Sequence, residues 1–335
     1  MVIRFLGIET SCDDTGVAAY TPNEYIFFNR IYKQSYLHKK FKGVVPNVAL
    51  GEHFFGLDFL IDYKFFLKFP YFFITYTKGP GFIGSLFIGI SFSKLLSLFF
   101  NISLIGIHHL EGHILSAFLS FKFFLYPFIA LLISGGHTFL LYIRCFNYYY
   151  LLGCTLDDSV GESFDKMASF LNFGYPGGPW IENFSTINNN FTTTYCYPYP
   201  VFFSNGFNFS FSGLKTNVKN LFFYVTNFSI CYFTTCSSIQ NSIINALLMK
   251  VTICLHYVNI NNLVIVGGCA ANSFLCKKFS FFLRRYNISV YVPDFLVCTD
   301  NAAMIALAGV FYFFLKKNDL NVLLDIFTRL NLYNF

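Results

Sequence analysis

Phe128-Ile129-Ala130-Leu131-Leu132-Ile133-Ser134-Gly135-Gly136-His137-Thr138-Phe139-Leu140-Leu141-Tyr142-Ile143 is the stretch from which the fold can be read. An apolar run to Ile133, a polar turn with paired glycines and a second apolar run to Ile143 predict strand, tight turn, strand. The same pattern opens the chain: Val2 to Ile8 is apolar, Glu9-Thr10-Ser11 closes the run, and Gly16 to Tyr20 resumes it. One such unit in each half predicts an internally duplicated fold. Between the two, Ile74 to Thr77 reads as a strand, Gly79-Pro80-Gly81 as a turn and Ser85 to Phe100 as a helix. Downstream, Gly161 to Leu171 and Ser237 to Tyr257 read as helices. Leu263 to Val266 reads as a buried strand entering Gly267-Gly268, with a helix from about Asn272. Strands alternating with helices place the chain in the α/β class. Asn183 to Pro200, rich in Asn, Thr, Tyr and Pro, reads as an irregular insertion.

The 335 residues are 55% hydrophobic, 21% aromatic and 12% charged, which excludes intrinsic disorder. The hydrophobicity comes from 48 Phe and 23 Tyr spread along the chain. That pattern fits codon drift toward A and T, as in a symbiont or organelle genome; a G/C-rich gene would contradict it. A spanning helix needs about 20 near-continuous apolar residues. Phe123 to Ile133 ends at Ser134-Gly135-Gly136, and Leu86 to Phe100 carries Lys94 at its centre, so no segment is expected to span a membrane. Glu9, Asp13 and Asp14 interrupt any secretory leader. The ten cysteines contain no C-x-x-C, which points to reduced thiols and a cytoplasmic location or an organelle stroma or matrix. The formal charge of +6 permits a nucleic-acid partner without demanding one.

Only 17 residues are acidic, and nine of them fall in short islands: Glu9, Asp13 and Asp14; Glu111; Asp157 and Asp158; Glu162 and Asp165; Asp300. The segment His108-His109-Leu110-Glu111-Gly112-His113 holds three of the seven histidines. At about 100° per residue, His109 and His113 share a helix face and can reach one metal, whereas His108 points elsewhere. The zinc-protease motif H-E-x-x-H is absent, because Glu111 follows His109 by two positions. Two histidines under-ligate a metal, and a carboxylate is the expected third ligand. Cys298-Thr299-Asp300-Asn301 offers Asp300 just before a helix-like run from Ala302 to Val310, although Thr299, Asp300 or Asn301 would serve equally as its N-cap.

The glycine doublets suggest a second chemistry. Ser134-Gly135-Gly136 and Val266-Gly267-Gly268 each follow an apolar strand, and glycines let backbone N–H groups approach a phosphate or a base. With the Glu9–Asp14 turn, they point to a nucleotide cleft between two lobes. No G-x-x-x-x-G-K-S/T is present, so the chain is not a P-loop enzyme.

Taken in order, these motifs resemble the tRNA N6-adenosine threonylcarbamoyltransferases, formerly described as O-sialoglycoprotein endopeptidases. The matching segments are GIETSCDDT (Gly7 to Thr15), VVP (Val44 to Pro46), GPGFIG (Gly79 to Gly84), HHLEGH (His108 to His113) and LISGGHT (Leu132 to Thr138). They continue with DDSVGESFDKMA (Asp157 to Ala168), YPGGP (Tyr175 to Pro179), FSFSGLKT (Phe209 to Thr216), GGCAAN (Gly267 to Asn272) and CTDNAAMIA (Cys298 to Ala306). The resemblance implies a duplicated, two-lobed, actin-like and sugar-kinase-like fold with the active site between the lobes. The corresponding division is 1–118, 119–304 with an irregular insertion at about 183–208, and a C-terminal helical segment, 305–335, packing back on the first lobe.

It also implies that His109, His113 and Asp300 hold one divalent metal, Fe(II) being favoured and Zn(II) possible by family. Leu132, Ile133, Ser134, Gly135 and Gly136 would cradle the acyl-phosphate of threonylcarbamoyl-adenylate, and Asp165, Gly178, Glu182 and Asn272 would contact its nucleoside. The group would pass to N6 of the adenosine 3′ of the anticodon in tRNAs reading A-starting codons, releasing AMP. Asp13 or Asp14 would take the N6 proton. The family usually has Glu at the position of Asp14. Asn47 and Gly51 replace a Glu and usually an Arg, and the Arg-rich C-terminus is reduced to Arg329. The family's bacterial systems imply a non-catalytic paralogue and a P-loop ATPase as companions. Two other readings compete: a carbamoyltransferase with another acceptor, and a scaffold paralogue, which would lack the metal motif.

Overall fold

The computed structural model describes residues 3–23, 25–61, 71, 73–121, 126–186, 206–224, 228–315 and 326–332. The chain divides into two compact units, Met1–Phe124 with Pro293–Phe335, and Leu125–Val292. The first unit begins with strands β1 (Phe5–Glu9), β2 (Asp14–Thr21) and β3 (Tyr25–Lys33), followed by helices α1 (Ser35–His38) and α2 (Pro46–Leu60). It continues through β4 (Phe73–Gly79), α3 (Ile83–Phe100), β5 (Ser103–His108) and α4 (His109–Ser120). The second unit contains β6 (Phe128–Ile133), β7 (Thr138–Cys145), β8 (Tyr148–Cys154), α5 (Val160–Phe170) and α6 (Gly177–Thr186). Helices α7 (Ser212–Tyr224) and α8 (Phe228–Val258), β9 (Asn262–Val266), α9 (Ser273–Leu283) and β10 (Ser289–Tyr291) complete it. The chain then rejoins the first unit with α10 (Phe295–Cys298) and α11 (Ala302–Phe314).

The two sheets share one topology. In the first, the strand order is β3-β2-β1-β4-β5, with β1 antiparallel to β2 and parallel to β4. In the second it is β10-β9-β6-β7-β8, with β6 antiparallel to β7 and parallel to β9. The duplication expected from the two strand–turn–strand units is therefore present in full. Both central strands, β1 and β6, are buried along their whole length, which accounts for their unbroken apolar runs.

The unit boundaries differ from the divisions expected at residues 118 and 304. Pro293 already returns to the first unit, so Asp300 belongs with His109 and His113. Most of the 183–208 insertion, residues 187–205, lies outside the described residues, but Asn183–Thr186 is the last turn of α6 and not a loop. Helix α8 starts at Phe228, nine residues before the expected Ser237.

The expectation that no segment is long and apolar enough to span a membrane is corrected. Ile83–Phe100 and Tyr232–Val258 both reach that length and composition, one Lys being tolerated in the first. The second is 72% buried, as a core helix would be, whereas the first is only 33% buried. Its outer face, with Phe87, Leu95, Leu98 and Phe99, is exposed beside the exposed Phe54, Phe55 and Phe59 of α2.

Helix α11 packs on β1, β2 and β4 through small residues. Its approach requires bare backbone beneath it. A Cβ on Gly7 would lie 2.1 Å from the Ala302 carbonyl oxygen, and one on Gly16 2.9 Å from the Ala302 nitrogen. Gly7→Ala should therefore push the start of α11 off the sheet. We expect a loss of about 1–3 kcal/mol or more in chemical denaturation; unchanged stability would show that the helix adjusts freely.

Candidate functional site

Strand β5 passes into α4 without a loop, His108 ending the strand and His109 beginning the helix. His108 caps α4: its Nδ1 accepts the Leu110 N–H at 3.1 Å, and its Nε2 donates to the Leu330 carbonyl at 3.1 Å. Both its nitrogens are thereby committed. One helical turn apart, the His109 and His113 rings have centroids separated by 4.7 Å. Asp300 Oδ1 lies 3.0 Å from His113 Nε2 and 3.7 Å from His109 Nε2. The carboxylate is available because Asn301 is the N-cap of α11, its side chain accepting the Met304 N–H at 3.0 Å.

Among the described residues, these three form the one group of His, Cys, Asp or Glu side chains placed to share an ion, with donor atoms within 4.8 Å of one another. Nδ1 of His113 is buried without a partner, and the whole ring is inaccessible. Asp300, 21% exposed, is the open side of the group. Two imidazoles and one carboxylate form a donor set that suits Fe(II) or Zn(II). Glu111 faces away, accepting the Tyr312 hydroxyl at 2.8 Å.

The end of β1 lies behind His109. Glu9 is buried and accepts the Ser11 N–H at 2.7 Å and the Thr77 hydroxyl at 2.6 Å, and its Oε2 is 3.1 Å from His109 Nδ1. Burial alone would lower the pKa of His109, but the Glu9 and Asp300 charges outweigh it and raise it to about 9. The following turn carries Asp13 and Asp14. Burial, then the charges of Asp13 and Asp300, push Asp14 up to about 8 against the pull of Lys33. His53 of α2 steadies this turn by donating from Nε2 to the Cys12 carbonyl at 3.0 Å, while its Nδ1 accepts the Thr15 hydroxyl at 2.7 Å.

The second unit brings together the glycine turns and their neighbours. Leu132 and Ile133 end the buried strand β6, and the turn closes with the Ser134 N–H donating to the His137 carbonyl at 2.8 Å. Helix α5 begins against this turn: Gly161 N–H donates to the Ser134 carbonyl at 3.3 Å, and Ser159 donates to the Gly135 carbonyl. Gly135, Gly136, Gly178 and Gly268 have open space where a Cβ would point. Asp165 accepts the Gly177 N–H at 2.6 Å, and burial pushes its carboxyl up to about 6. Glu182 accepts both the N–H and the hydroxyl of Ser273, at 2.8 and 2.7 Å. Asn272 caps α9 by accepting the Leu275 N–H at 2.8 Å, and donates to Gln240 at 3.0 Å. The three polar side chains thus tie α5, α6, α8 and α9 together at the strand ends.

Some features were not anticipated. Asp157 accepts Phe211 N–H and Ser212 hydroxyl bonds, and Asp158 pairs with Lys166 and Lys215. Lys215 is therefore held within the unit. Glu9 had stood out as a scarce carboxylate, but its contact with His109 spans a hundred residues and had no local signal. Cys12, Cys145, Cys154, Cys236, Cys254, Cys269, Cys276 and Cys298 form no disulfide.

A family profile described as tRNA N6-adenosine threonylcarbamoyltransferase matches residues 25–307. A relative of that name from Thermosipho africanus is 40% identical over 308 residues, covering 91% of this chain and 92% of the relative. Another from Francisella tularensis subsp. holarctica is 39% identical over 332 residues, covering 97% and 98%. Among solved structures, full-length HypF in a phosphate- and nucleotide-bound form is similar in fold at a TM-score of 0.61 and 12% identity, covering 92% of this chain and 46% of HypF.

Two outcomes follow from the geometry. His109→Ala and His113→Ala should each cut zinc affinity at least about 100-fold, more than loss of an outer partner does, while His108→Ala retains the metal; equal losses in all three would refute the ligand set. For Asp165, the folded pKa of about 6 lies above the ordinary aspartate value of 3.8. The native state therefore holds this proton more tightly, and the stability it contributes below pH ~4 is lost as the pH rises through ~6. The melting temperature of Asp165→Asn relative to wild type should rise from pH 4 to pH 7. A flat difference would place the carboxyl in water.

Proposed function

The chain belongs to the tRNA N6-adenosine threonylcarbamoyltransferase family, and on that premise we propose how its residues divide the reaction. The family's activity is acyl transfer from threonylcarbamoyl-adenylate to a tRNA adenosine. The carbamoyl carbon forms a bond to N6, the bond to the phosphate oxygen breaks, AMP leaves, and N6 loses a proton.

In this reading His109, His113 and Asp300 hold one divalent ion, Fe(II) in preference to Zn(II), because two histidines and one carboxylate on one face suit non-haem iron. Bound there, the ion supplies a Lewis acid for the carbamoyl or phosphate oxygens. Leu132 to Gly136 cradle the acyl-phosphate, Leu132, Ile133 and Ser134 placing the turn and Gly135 and Gly136 offering its open backbone, helped by the nearby N-terminus of α5. Asp165, Gly178, Glu182 and Asn272 bind the nucleoside. Asp13 or Asp14 accepts the N6 proton; the raised pKa of Asp14 suits a base working near neutral pH. The observation that carries the reading is the His109–His113–Asp300 group, the element a scaffold paralogue would lack.

The chain works with a non-catalytic paralogue and a P-loop ATPase, in the compartment where tRNA is found: a bacterial cytoplasm, an organelle stroma or a matrix. The exposed Phe87, Leu95, Leu98 and Phe99 of α3 support a protein companion, since a cluster of large apolar side chains on one helix face marks a contact surface. The engagement of Lys215 by Asp158 supports a weak intrinsic grip on RNA.

The test is transfer to unmodified tRNA, read by nucleoside analysis, with and without the two companions. Multiple turnover should require the companions, and the isolated chain should bind tRNA weakly with a shallow salt slope, as expected where few phosphates are neutralised. Transfer only to a small-molecule acceptor would overturn the assignment. Tight, steeply salt-dependent binding by the isolated chain would overturn the need for help.

A further inference from the structure

Glu9 is surrounded by donors. Its Oε1 takes the Ser11 N–H at 2.7 Å, and its Oε2 takes the Thr77 hydroxyl at 2.6 Å and faces His109 Nδ1 at 3.1 Å. The side chain is 1% exposed, so water does not compete. The Ser11 hydroxyl is also 3.1 Å from His109 Nδ1 and would donate to it if that nitrogen were bare. The carboxylate decides between the two arrangements. A bare Nδ1 would set a lone pair against the Glu9 oxygen, whereas an Nδ1–H donates to it and leaves the serine oxygen as a second acceptor. With one proton held on Nδ1 by Glu9, the proton that an incoming metal displaces is the one on Nε2, the atom that faces Asp300.

We propose that Glu9 is the positioning residue of the metal centre, fixing His109 by the Nδ1–H···Oε2 bond so that Nε2 faces the ion. The inference rests on the reading of His109, His113 and Asp300 as the ligands. A carboxylate behind a ligand imidazole orients the ring and raises its basicity. Here the same carboxylate also anchors the turn carrying Asp13 and Asp14 through the Ser11 N–H. One side chain thus sets both the ligand and the acidic turn. Thr77 in turn fixes Oε2. His113 has no counterpart, its Nδ1 being unpartnered, so the orienting role falls on His109 alone.

Glu9→Gln is the informative change because it keeps the shape and removes one acceptor. Its amide NH2 must oppose either the Ser11 N–H, or both the Thr77 hydroxyl and His109. In the second arrangement the imidazole gives its lone pair to the amide and turns Nε2–H toward the ion. Zinc affinity, measured by competition with a chromophoric chelator, should fall by about 10–100-fold. Ser11→Ala should stay near wild type, and the metal-free Glu9→Gln protein should keep the wild-type far-UV circular dichroism although the opposed donors lower its melting temperature. In zinc-loaded wild type, 15N spectra of the His109 ring should show Nδ1 protonated and Nε2 bound, a readout that needs no variant to fold. Wild-type affinity in Glu9→Gln, an equal loss in Ser11→Ala, or a metal-bound Nδ1 would each overturn the proposal. Wild-type protein that takes up no zinc or iron would overturn the ligand reading itself, and this inference with it.

Discussion

Bare backbone at Gly7 and Gly16 lets the first turn of α11 lie directly on β1 and β2, and the His109–His113–Asp300 group depends on that approach. A methyl group at either position would meet Ala302. With the helix held close, Asn301 caps it and Asp300, the preceding residue, is delivered to His113 across 187 positions of sequence. The small residues Ala302, Ala303, Ala306 and Gly309 are needed for the same reason. No long side chain on this face of α11 would leave the carboxylate within reach of both imidazoles. The position of Asp300 is thus a packing consequence before it is a chemical one.

A chain so rich in Phe and Tyr has few polar groups with which to organise a site, and each is used closely. Buried polar groups need partners, and the partners here recur: Glu9 serves Ser11, Thr77 and His109, while Asp157 serves three groups of one segment. Asp158 holds two lysines. Aromatic side chains also occupy the outer faces of α2 and α3. There Phe59 and Phe99 are 77% and 78% exposed.

The strand–turn–strand units, and with them the duplication, were legible because β1 and β6 are central strands whose unbroken apolar runs nothing else explains. The pairing of His109 with His113 was legible from helical spacing. Strands β3, β5, β8 and β10 were not assigned, since edge and half-exposed strands in an aromatic-rich chain lose the polar alternation that would mark them. The start of α8 was missed because Phe228 to Cys236 mixes aromatic, cysteine and hydroxyl residues without a clear helical period. Among Thr299, Asp300 and Asn301 the N-cap was ambiguous, any of the three side chains being able to accept the N–H. The choice lay in tertiary contacts: an Asp already facing two imidazoles leaves capping to its neighbour. Glu9 could not be assigned to His109 for the same reason.

The glycines beside the two candidate sites differ in what surrounds them. In the first, Gly7, Gly16 and Gly89 sit where another element presses against the backbone, so their lack of a side chain is used up by packing. In the second, Gly161, Gly177 and Gly267 are packed in this way, but Gly135, Gly136, Gly178 and Gly268 face open space. Packing gives no reason for a glycine at these four positions. Their common feature is accessible backbone at strand ends and helix starts, where N–H groups can meet a ligand's oxygens. An alanine there would fit the fold and still cover the donors. The His109–His113–Asp300 group is therefore built by closing space between elements, whereas the backbone at Gly135, Gly136, Gly178 and Gly268 is left open.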